Sequence, residues 1–152
     1  MKHKRKRKEI SKICKAYSVR YRIKKLGPGF GGQADCPNGI ISIESSMLKL
    51  SIGYVMSVVM HEISHILAYR GGKYRAYHRQ YALSTRQQCA AYLSTALRAE
   101  LYVDRQGEKM FYRFYPHLKY SRSYRTKKAI AWFNCWLKPT KIFMRSLPTD
   151  SI

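Results

Sequence analysis

The sequence predicts an α+β chain in which a small antiparallel sheet comes first and helices follow it. Three observations carry that reading. Residues Ser18 to Lys25 alternate apolar and basic side chains at period two, the mark of a half-buried strand. Asn38-Gly39 lies between two short apolar runs, 33–36 and 40–44, and Asn-Gly in that setting signals a tight hairpin. From Ser51 to Arg70 the apolar residues Ile52, Val55, Val58, Val59, Ile63, Ile66 and Leu67 recur at three- and four-residue spacing, as on one broad face of a buried helix.

The elements follow in chain order. Residues 1–17, with the run Lys4-Arg5-Lys6-Arg7-Lys8, read as a basic N-terminal arm suited to a phosphate contact or a nuclear address. The strand at 18–25 ends at Gly27-Pro28-Gly29, and Gly31-Gly32 adds a second flexible point before the hairpin. Gly71-Gly72 ends the 51–70 helix in the way C-terminal glycines do. Ser84-Thr85 can cap a second long helix, from Arg86 to Asp104 or a little beyond. A third helix is expected over Thr126 to Leu137, with Ile130, Phe133 and Trp136 for burial and Pro139 just past its end. The expected organisation is a basic arm (1–17), a central domain (18–110) and a basic C-terminal extension (111–152) whose short helix packs on that domain.

With 152 residues and 45% hydrophobic content, the chain suits one compact domain with a core rather than a disordered basic tail. Its 30 Lys and Arg against 8 Asp and Glu give a formal charge of +22. Twelve of the thirty lie in residues 1–25 and twelve in 98–145, whereas Lys49 stands alone between Leu26 and Tyr69. Flanks of that kind attract polyanions, because each Lys or Arg on a phosphate releases a counterion. Cys14, Cys36, Cys89 and Cys135 are widely spaced, which suits free thiols in a reducing compartment better than a disulfide framework. The N-terminus has no apolar stretch of the signal-peptide kind, and the apolar run 52–68 is shorter than the roughly 20 residues of a spanning helix. The expectation is a soluble cytoplasmic protein that does not use a membrane, of a size and charge that suit a phage or mobile element; its oligomeric state is not legible.

His61-Glu62-Ile63-Ser64-His65 is the chemically sharpest segment. On a helix, positions i and i+4 lie on the same face, so both imidazoles can hold one metal ion while Glu62 stands beside them. A buried apolar helix should not contain two His and a Glu unless something pairs them, since an unpaired buried charge is costly. Zinc suits imidazole and carboxylate ligands. For a third ligand there are two candidates. Glu100 lies on the second long helix with Asp104 one turn later, where Asp104 could anchor the outer nitrogen of a liganding His. His78, thirteen residues after His65, offers a loop imidazole instead.

These residues resemble a zincin-type metallopeptidase, and more closely the gluzincin branch. His61-Glu-Ile-Ser-His65 with Glu100-Leu-Tyr-Val-Asp104 looks like that branch's HExxH and ExxxD pairing, over roughly residues 18–110. The resemblance implies a zincin-like fold, His61, His65 and Glu100 as zinc ligands, and Glu62 as general base. It also implies that the strand Ile40–Glu44 is an edge that aligns an extended peptide by backbone pairing. A second resemblance, to SprT-like proteases whose relatives cleave proteins crosslinked to DNA, would use His78. The metzincin pattern is excluded, because Ala68 and Gly71 stand where that group has a Gly and its third His. The implied function is peptide-bond hydrolysis on a protein or peptide substrate, close to nucleic acid if the basic flanks bind it. The alternative is a basic nucleic-acid-binding protein with a structural or vestigial metal site. Tyr112, Tyr115 and His117 follow the Glu100 helix as candidate oxyanion donors, and none is assigned.

Overall fold

A computed structural model describes residues 3–27, 30–78 and 86–122. The helix expected at 126–137 lies outside the described residues. The architecture is α+β: helix α1 (Lys4–Ala16), strands β1 (Arg20–Lys24), β2 (Gly32–Asp35) and β3 (Ile40–Glu44), a 3-10 turn (Ser45–Lys49), then helices α2 (Ile52–Arg70), α3 (Arg75–His78) and α4 (Arg86–Phe114). No helix among the described residues is long and apolar enough to cross a membrane.

The expected basic arm is a helix. Ile10, Ile13 and Cys14, at i, i+3 and i+4, put one stripe of α1 into the core, where all three are buried. That burial pushes the Cys14 thiol up to about 12, the direction of an inert buried cysteine. Lys6 reaches the 3-10 turn and donates to the carbonyl oxygens of Leu48, at 2.8 Å, and Leu50. At the other end Arg70, the last residue of α2, donates to the Tyr17 and Ser18 carbonyls at 3.0 and 2.8 Å. The link from α1 into β1 is thereby pinned to α2.

The sheet is mixed and not purely antiparallel. Its order is β1-β3-β2, with β1 parallel to β3 and β2 antiparallel to β3. The hairpin forms where Asn-Gly places it: the Asp35 carboxylate accepts from the Asn38 backbone N–H at 3.3 Å, and Gly39 adopts φ 62°. Ile40–Glu44 was expected at an edge. It is instead the central strand, all five residues buried, because β1 pairs on its open side. The edges are β1, whose alternate residues Arg20, Arg22 and Lys24 are exposed, and β2.

Helix α2 is the axis of the core. The Ser51 hydroxyl caps its start by accepting from Tyr54 N–H at 3.3 Å, and Gly72, at φ 76°, turns the chain out of its end. Val55, Met56, Val59, Met60, Ile63 and Ile66 are fully buried, so most of the helix surface is inside the core, as an apolar helix without a polar face requires. Helix α4 continues beyond residue 110, where the sequence placed a domain boundary, and crosses α2 at Gly107. A Cβ there would lie 3.2 Å from the backbone of Met60 and His61, so glycine permits the close approach. After α4 the chain folds back over α2: Ser121 N–H donates to Ser57 Oγ at 2.9 Å.

Candidate metal centre

Three elements converge on His61 and His65. The single helical turn between them sets the rings 4.8 Å apart at 80°, with the two Nε2 atoms 3.1 Å from each other. The α2–α4 crossing then delivers Glu100. Its Oε2 lies 3.1 Å from His61 Nε2 and its Oε1 3.6 Å from His65 Nε2. His61, His65 and Glu100 form a buried group that could hold a metal ion, each no more than 2% exposed. Asp104, one turn past Glu100, places Oδ1 at 3.1 Å from His61 Nδ1. The Nδ1–H donates to that carboxylate, which leaves Nε2 turned toward His65 and Glu100.

Charge balance explains how so many ionisable groups share a dry space. Burial pulls the His61 pKa down, but its hydrogen bonds to Asp104 and Glu100 outweigh it and raise the metal-free imidazole to about 10. Burial pushes Glu100 the other way, yet the His65 charge and the His61 hydrogen bond hold its carboxyl well below the usual range. In the metal-free cluster each buried group thus favours the charged form of its partner.

Glu62 is 4% exposed and sits between α2 and the edge strand β2. A Cβ at Gly32 would come within 2.7 Å of its Cγ, so a glycine is required for the strand to lie flush against the carboxylate. Its Oε2 is buried and has no hydrogen-bond partner among the described residues. A buried carboxylate oxygen in that condition is a ready acceptor for a proton-bearing ligand.

Four contributors are ones the sequence reading did not single out. Gly32 had been read only as a flexible point. Tyr77, on α3, donates its hydroxyl to Glu100 Oε1 and stacks on His65 with ring centroids 6.1 Å apart. Tyr120 donates to Asp104 Oδ1 at 2.6 Å from the chain that folds back after α4, and Arg122 Nε pairs with Asp104 Oδ2 at 3.3 Å. The rival third ligand, His78, ends α3, and its side chain lies outside those described. Of the other oxyanion candidates, Tyr115 donates to Glu9 at 2.8 Å and the Tyr112 oxygen accepts from Tyr120 N–H at 3.4 Å, while His117 is exposed. No protein-family model, curated protein or solved structure matches the chain.

Proposed function

We propose that the chain is a zinc-dependent metallopeptidase of zincin type, with the gluzincin ligand set His61, His65 and Glu100. One observation supports it above the rest: the two imidazole Nε2 atoms lie 3.1 Å apart, Glu100 Oε2 lies 3.1 Å from that of His61 and Oε1 3.6 Å from that of His65, and one ligand atom from each residue falls within 4.8 Å of the others. Ligands placed tetrahedrally at zinc's usual bond length of about 2.0–2.1 Å are separated by about 3.3–3.4 Å. The group is compact enough for its side chains to meet on one ion, and the Asp104 bond favours the His61 tautomer that ligation through Nε2 needs.

Bound zinc would supply Lewis acidity and a water whose pKa is lowered to about 7. The chain's own groups do the rest. Glu62 takes the proton of the attacking water on its unpartnered Oε2 and passes it to the nitrogen of the departing amine. The outer edge of β2, the last strand of the sheet among the described residues and held against Glu62 through Gly32, is where an extended peptide would pair its backbone. Tyr77 brings a hydroxyl donor to the same triad.

The test is Glu62→Gln, assayed on an unfolded protein substrate beside metal analysis. The amide cannot act as a base, so the variant is expected to keep one zinc per chain and lose hydrolysis. Wild-type cleavage by Glu62→Gln would end the peptidase reading. A zinc-loaded wild-type protein without hydrolytic activity would instead favour the alternative, a basic nucleic-acid-binding protein with a structural or vestigial metal.

A further inference from the structure

Helix α1 carries its charge against its own stability. Lys4, Lys8, Lys12 and Lys15 succeed one another at spacings of four, four and three residues, so they form a single stripe, and all four are exposed. Like charges at those spacings repel along a helix. The first turn holds no acidic residue, although the helix dipole favours one there. Glu9, the one carboxylate on α1, lies off the stripe and accepts from Tyr115. Lys6 is also off the stripe and engages backbone carbonyls, whereas no hydrogen bond or ion pair among the described residues engages the four stripe lysines.

A repulsion the fold tolerates and does not neutralise suits an external anion. The stripe extends over about 16 Å of helix axis. A straight row of ammonium groups matches a linear polyanion, and duplex DNA presents a charge about every 1.7 Å of its axis. Strand β1 follows and contacts α1 and exposes Arg20, whose guanidinium also donates to the Asn38 carbonyl at 3.0 Å, and Arg22. A membrane surface fits less well. An interfacial helix needs a free apolar face, and here Ile10, Ile13 and Cys14 are inside the core, while the exposed large hydrophobics Phe30, Leu50, Tyr54 and Tyr112 lie on neither α1 nor β1. Strand β1 is also the sheet edge opposite β2, so the surface is separate from the strand that meets Glu62.

We propose that the α1 lysine stripe, extended by Arg20 and Arg22, is a sequence-independent binding surface for the phosphate backbone of nucleic acid. The proposal does not rest on the metallopeptidase reading, and its test measures no hydrolysis. Binding of the full chain to two labelled DNA duplexes of unrelated sequence is followed by anisotropy between about 50 and 200 mM salt. Both duplexes are expected to bind alike. Replacing the four stripe lysines by glutamine, which keeps helix propensity, should weaken binding at least tenfold and lower the slope of log Kd against log salt by about 3–4. Where the quadruple variant does not fold, Lys8→Gln with Lys12→Gln should lower it by about 2. The control removes equal charge from exposed positions of α4: Arg98, Arg105, Lys109 and Arg113, each to Gln. An equal loss in the control would overturn the proposal, because total charge would then govern binding. Binding to phosphatidylserine vesicles in preference to DNA would overturn it as well.

Discussion

Replacing Asp104 by Asn tests whether the buried carboxylate exists to hold a metal ligand. The side chain is 3% exposed and meets three donors: His61 Nδ1 at 3.1 Å, the Tyr120 hydroxyl at 2.6 Å and Arg122 Nε at 3.3 Å. Asparagine keeps the shape and, with its oxygen in the place of Oδ1, keeps acceptance from His61 and Tyr120. What disappears is the charge that makes His61 a stronger base, together with the Arg122 pair. The latter matters little, since Arg122 is 50% exposed and such pairs are worth about 0–1 kcal/mol. Loss of an outer partner of a metal-bound His lowers metal affinity by about 10–100-fold, equal to about 1.4–2.7 kcal/mol. Zinc affinity is read by competition with a chromophoric chelator, and the urea midpoint of metal-free protein reports separately on folding. Wild-type zinc affinity in Asp104→Asn would refute the reasoning, because His61 would then not be a ligand that depends on Asp104.

Two glycines give further tests. Gly107→Ala forces a methyl to within 3.2 Å of the Met60 and His61 backbone, and should cost about 1–3 kcal/mol of stability, read as a lower denaturant midpoint. Gly32→Ala puts its methyl against the buried Glu62 side chain, 2.7 Å from Cγ and 3.0 Å from Oε1. It should retain zinc, by metal analysis, while losing most peptidase activity; full activity would mean that β2 does not set the position of Glu62.

The parts legible from sequence are those fixed by spacing within one element. His61 and His65 share a face by helical period alone, and Asn38-Gly39 is sufficient to close β2 on β3. Glu100 and Asp104 stand out because carboxylates are scarce in the chain and these two are one turn apart on the next long helix. What spacing could not supply was long-range pairing. The hairpin names one neighbour of β3 and says nothing of β1, whose parallel pairing makes β3 central. In α1 the three buried apolar residues have the right period, but among seven bases in thirteen positions the charge dominated the pattern. Tyr77 and Tyr120 are two of thirteen tyrosines, and no local feature separates them from those that only pack. Gly32 and Gly107 reveal their purpose only once the element each one faces is in place.

The return of the chain after α4 has a practical consequence for anyone shortening this protein. A truncation at residue 110 would sever α4 four residues before its end at Phe114 and discard Tyr120 and Arg122, both partners of Asp104. It would also remove Phe111, a fully buried core ring that Tyr120 meets edge-on at 5.5 Å. At the other terminus, removing the charged leader to improve handling would strip Ile10, Ile13 and Cys14 out of the core. The smallest useful expression fragment therefore begins no later than Lys4 and runs at least through Arg122.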